Sequence, residues 1–101
     1  MTVKEFMDLY AEGVVRSFKN EQKKEFSSRD FIWRAMYSYG QDYIKLLYNC
    51  EADNPFQAVH SQIGRYLTYN TEALEIIKGD EKEKCISPLG FDSETQIWII
   101  K

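Results

Sequence analysis

Two four-residue signatures constrain this chain more than anything else in it. Thr2-Val3-Lys4-Glu5 and Ser27-Ser28-Arg29-Asp30 each set a hydroxyl three residues ahead of a carboxylate. In that spacing the two side chains satisfy each other's free backbone amides at a helix start. After Thr2, the apolar residues Val3, Phe6, Met7, Tyr10, Val14 and Phe18 recur at three- and four-residue steps. That period predicts a helix with one apolar face from Thr2 to about Asn20. After Ser27, the residues Phe31, Ile32, Ala35 and Met36 supply the buried stripe of a second helix, and Phe26 is placed to staple onto Phe31. Gly40 is expected to stop this helix as a left-handed C-cap. The polar "NEQKKE" between the two helices reads as a solvated turn.

A short third helix, roughly Asp42 to Tyr48, carries Tyr43, Ile44 and Leu47 before "NCEADN" breaks the pattern. Asn54 then caps a fourth helix, with Pro55 in its first turn where a missing amide costs nothing. Phe56, Val59, Ile63 and Leu67 form its narrow apolar stripe. After Asn70 the period changes. "ALEIIK" reads as a helix end or a strand, whereas "KCISPL" and "TQIWIIK" are Ile- and Trp-rich strands around the turn "GFDSE". The expected architecture is one domain over residues 1–101, mainly α with a small C-terminal β-hairpin: a first helix over 1–20, a helical core over 27–70 and strands over 71–101.

Composition supports one compact core. Apolar residues are 44% and aromatic residues 15% of the 101, which argues against disorder and allows folding without metal or disulfide. Cys50 and Cys85 are far apart and form no CxxC, so they do not read as a secreted disulfide framework. The N-terminus lacks the apolar segment of a signal peptide, and no apolar run approaches the roughly 20 residues of a membrane span. A cytoplasmic location is expected.

Charge is unevenly distributed. The chain carries a net −3, yet Asn54 to Asn70 contains no Asp or Glu, and its one formal charge is Arg65. The remaining polar positions are Gln, His, Ser, Thr, Tyr and Asn. From Thr71 to Lys101 the balance is seven acids against four bases.

Helices followed by a C-terminal hairpin, with the segments "EFSSRDFIWRAM", "AVHSQIGRYL" and "TQIWIIK", resemble a winged helix-turn-helix domain. The first segment is similar to the opening of the second helix in small winged-helix modules. The second is similar to their third helix, and the third to their closing wing strand. The resemblance spans Ser27 to Lys101, while "YSYGQDYIKLLYNCEAD" is long for a helix-turn-helix connection. It implies that the fourth helix of this chain enters the DNA major groove. Gln57, Ser61, Gln62, Arg65 and Tyr69 are then the reading face, because Arg suits guanine and Gln suits adenine. Amides near Ser27 and Ser28, together with Arg29 and Lys45, are candidates for backbone phosphate contacts. The acidic "GDEKEK" and "DSE" of the presumed wing repel phosphate, so the helix has to supply most of the affinity.

A protein-binding reading competes, because fold does not set function. Trp33 and Tyr37 lie four apart, on the side of the second helix away from Phe31 and Ala35. Either another element covers them or they form an exposed pair suited to a protein partner or a homodimer. A small acidic inhibitor of phage type, mimicking nucleic acid, is a variant of this reading. Catalysis is not expected. His60, the one histidine, sits at the margin of the apolar stripe, and nothing orients it toward Cys50 as a nucleophile and base would require. Cys50, His60 and Cys85 lack zinc-ligand spacing, and the glycines form no phosphate loop. No cofactor or metal is expected.

Overall fold

The computed structural model describes residues 1–86 and 92–101. Helix α1 runs from Val3 to Asn20 behind the expected capping box, with Thr2 Oγ1 accepting from the Glu5 amide and Glu5 Oε1 accepting from the Thr2 amide, both at 3.1 Å. It buries Val3, Phe6, Met7, Ala11, Val14, Val15 and Phe18. Its end is the solvated polar turn expected, and that turn has a defined form. Gln22 adopts a left-handed φ of 62°, its amide donates to the Lys19 carbonyl, and the Lys23 amide donates back to the Phe18 carbonyl. These are the two hydrogen bonds of a Schellman ending, and they turn the chain directly into strand β1, Glu25–Ser27.

Helix α2, Ser28–Ser38, starts with the second capping box as expected, and buries Phe31, Ile32 and Ala35; Met36 is only half-buried against the core. Phe26 makes the expected contact with Phe31 at 6.0 Å between ring centroids. It also stacks on Phe18 at 5.0 Å and 6° between planes. Arg34 lies over the other part of this cluster, 4.2 Å from the Phe18 ring centre, while its guanidinium grips Glu21 at 2.5 and 3.1 Å. That pairing holds the Glu21 carboxyl below the usual carboxylate range.

Helix α2 stops just before Gly40 as expected, but Gly40 does not supply a left-handed cap. It is the first residue of helix α3, Gly40–Asn49, and its φ is not left-handed. Tyr39 makes the junction at φ −130° instead, anchored by stacking on Tyr10 at 3.9 Å. The buried face of α3 is Tyr43 and Leu46, with Leu47 half-buried, while Ile44 points to solvent. Packing against α2 and α4 thus selects a different face from the one the apolar residues suggested.

Helix α4, Pro55–Tyr69, is capped by Asn54 and buries Val59, Ile63 and Leu67. Phe56 shares their helical azimuth but is 41% exposed, because the first turn projects past the core: nothing before Val59 is buried. The short helix α5, Thr71–Leu74, ends on Glu75 in the left-handed region. Strands β2, Ile76–Ile86, and β3, Asp92–Ile100, follow. The expected "SPL" and the start of "GFDSE" lie outside the described residues.

The sheet has three antiparallel strands in the order β1-β3-β2, not two. Trp98 is at its centre, opposite Phe26 on one side and Lys78 on the other. The β2–β3 ladder is broken between Lys78 and Lys82. There Gln96 Nε2 donates to the Gly79 carbonyl at 2.8 Å, and a Cβ on Gly79 would sit 2.9 Å from the Ile97 carbonyl oxygen. Only glycine allows that approach without moving the backbone.

Candidate functional site

The outer side of α4 is open to solvent where the sequence placed a binding face. Gln57, Ser61, Gln62, Arg65 and Tyr69 are all exposed, Tyr69 by 77%. Gly64 lies within the same arc as Gln57, Ser61 and Arg65 at about 100° per residue. It stands in a helix interior, and a Cβ there would meet nothing within 4 Å. Such a glycine costs about 1 kcal/mol relative to Ala, and no packing inside the chain requires it.

The first half of α4 forms one wall of a groove of about 600 Å³. Gln57, Ser61, Phe56 and His60 line that wall. Arg29 and Trp33 from α2, and Cys85 and Glu94 from the hairpin, complete the lining. Gln62, Arg65 and Tyr69 continue along α4 outside it. The fold therefore joins part of the presumed reading face to Trp33, which the sequence had assigned to a separate surface.

Trp33 and Tyr37 are 56% and 91% exposed, so α1 does not cover them. The Arg29 guanidinium lies 5.6 Å from the Trp33 ring centre. Among the described residues, no carboxylate is within ion-pair distance of it. Lys45 is exposed on α3, outside the groove and 4.0 Å from Asp42.

The start of α2 is different from the phosphate cradle considered above. The Arg29 amide donates to Thr95 Oγ1 at 3.0 Å, the Asp30 amide to Ser27 Oγ at 2.9 Å, and the Ser27 amide to Asp30 Oδ2 at 3.3 Å. Ser28 Oγ accepts from the Trp98 indole at 2.8 Å. These groups tie α2 to β3, which leaves the Arg29 side chain as the feature facing solvent.

His60 is half-buried, its ring edge-on to Phe56 at 6.2 Å, and its Nε2 shares a hydrogen bond with the Tyr43 hydroxyl. Burial pushes the His60 imidazole below its ordinary pKa and the Tyr43 phenol up to about 12. Both groups are therefore neutral near pH 7. The groove brings Cys85, not Cys50, to the same cavity as His60; both cysteines are free thiols. Among the described residues no cluster of His, Cys, Asp or Glu has a metal-binding arrangement, and no helix is long and apolar enough to cross a membrane.

The contribution of Phe56, Cys85 and Glu94 was not legible in the sequence, because it depends on how the hairpin folds back over α2. The sequence placed Phe56 in the core stripe of α4, and its exposure shows only in the structure. No family model matches this chain, and no curated protein or solved structure matches it either.

Proposed function

We propose that this chain is a winged-helix-type domain that binds DNA through the outer face of α4. The carrying observation is that face: exposed, free of Asp and Glu in a chain of net charge −3, and centred on Arg65. The element sequence α1-β1-α2-α3-α4-β2-β3 around the short α5, with sheet order β1-β3-β2, supports the resemblance. Gln57, Ser61, Gln62 and Arg65 offer the donors and acceptors that base edges require. Gly64 supports the reading too, since a missing side chain on that arc lets a backbone come close.

The test is selection from a random-sequence DNA pool at low and moderate salt, with wild type beside Arg65→Ala. Enrichment of one motif by the wild type, weakened at least tenfold in the variant, is expected from the loss of a bidentate base contact. No retention of DNA even at low salt would remove this reading.

Gly64→Ala separates function from folding. It is expected to stabilise the isolated domain by about 0.5–1 kcal/mol, read as a rise in melting midpoint, while weakening retention of the selected DNA. Unchanged retention would mean that nothing approaches α4 at Gly64.

A second reading is favoured by a specific observation, the exposure of Trp33 and Tyr37. Aromatic residues of this kind anchor protein interfaces, including homodimers. In that case Trp33→Ala abolishes partner binding and Arg65→Ala leaves it intact.

A further inference from the structure

The groove beside α4 is poorly suited to a phosphate and well suited to a planar, uncharged group. Among the described residues its lining carries one cation, Arg29, and one anion, Glu94, so these offer no net positive field. Lys84 stands opposite Glu94 in the β2–β3 register, and the exposed part of β2 alternates acids with lysines. A phosphodiester inside would meet a carboxylate without a surplus of cations. Two of its walls are instead aromatic. Trp33 and Phe56 are both substantially exposed, and both line the cavity. Gln57 and Ser61 place amide and hydroxyl groups on the same wall as Phe56. Those two residues also belong to the α4 face assigned to DNA, so whatever lies along α4 passes the mouth of the groove.

The electrostatics of the rest of the domain point the same way. Residues 76–100 carry five acids against three bases, so the hairpin brings no surplus of positive charge to the phosphate contacts that dominate ordinary duplex affinity. Stacking is the other source of nucleic-acid affinity, and it needs exposed aromatic faces rather than charge. We propose that the groove between α2, α4 and the β2–β3 hairpin captures one unpaired nucleobase. The base face rests on Trp33 or Phe56, its edge meets Gln57 and Ser61, and its phosphate stays outside near Arg29. The target class is accordingly DNA with a local unpaired nucleotide, not a continuous duplex. This rests on the assignment of α4 as a DNA-binding face. A volume of about 600 Å³ is in the range of pockets that hold small planar ligands. A base that is already unpaired enters without the cost of extracting it from a stack.

The experiment compares two fluorescein-labelled duplexes of the same sequence, one continuous and one with a single unpaired thymidine, by anisotropy. Tighter binding of the bulged duplex by about tenfold is expected, with quenching of Trp33 emission on binding. Trp98 is buried, so Trp33 is the tryptophan that reports on the groove. Trp33→Ala and Phe56→Leu are each expected to reduce the preference, while Arg65→Ala weakens both duplexes alike; circular dichroism confirms that each variant is folded. Trp33→Phe, which keeps an aromatic face, should retain most of the preference. Equal affinity for the two duplexes would overturn base capture and leave DNA binding by α4 standing. A preference that survives both Trp33→Ala and Phe56→Leu would also overturn it. Failure to bind either duplex, bulged or continuous, would remove both readings together.

Discussion

Trp98→Ala is expected to cost about 3–5 kcal/mol of folding stability, the range for deleting a large aromatic from a packed interior. Domains of this kind have about 5–15 kcal/mol in total, so the variant should melt about 15–30 °C lower. Two things are lost at once. Trp98 is 1% exposed and lies on the middle strand, opposite Phe26 and Lys78. Its indole donates to Ser28 Oγ, tying the sheet to the start of α2, one residue from the amide that Thr95 also holds. Without it the sheet loses its central filler and α2 loses one of two anchors to β3. Trp98→Phe isolates the second contribution: most of the volume stays, the donor goes, and the loss should be clearly smaller. Thermal melts of the two variants followed by far-UV circular dichroism provide the check. A loss under about 1 kcal/mol for Trp98→Ala would mean that the sheet packs on the helices without it.

Phe26→Ala is expected to have the next largest effect, about 3–4 kcal/mol. Phe26 is buried, stacked on Phe18 and in contact with Phe31, so one ring links α1, β1 and α2. Part of its contribution is specific to the stack. A double-mutant cycle with Phe18→Leu and Phe26→Leu should show a coupling of about 0.5–1.5 kcal/mol. The strand pairing should respond as well. β1 has three residues, and Phe26 packs it onto the rings of α1 and α2. In Phe26→Ala the amides shared between β1 and β3 should therefore exchange faster with solvent than those shared between β2 and β3. Equal protection of the two ladders would show that β1 is held by its hydrogen bonds alone.

The helices and their starts were open to local reading because their causes are local. A capping box needs only residues three apart, and both boxes formed as Thr2 with Glu5 and Ser27 with Asp30. Asn54 and Pro55 opened α4 for the same reason, and the exposed acid-free face of that helix follows from its period. The strand β1 was missed because Glu25-Phe26-Ser27 is too short to display a period of two. Gln22 in the left-handed region was hidden because no glycine marked it, while Gly40 follows the end of α2 without a left-handed φ and begins α3.

What the sequence alone determined is the succession of α1 to α4, the starting residues of α1, α2 and α4, the core stripe Val59, Ile63 and Leu67, and the charge-poor face opposite that stripe. All of these depend on neighbours within one or two turns. Only the tertiary structure decided that a third strand pairs with β3, that Phe56 and Ile44 stay outside the core, and that the amides starting α2 are taken by Thr95 and by the capping box. It alone joined Trp33 to Gln57 and Ser61 in one groove. Those outcomes depend on contacts between residues such as Arg29 and Thr95, far apart along the chain, and such contacts leave no period in the sequence between them.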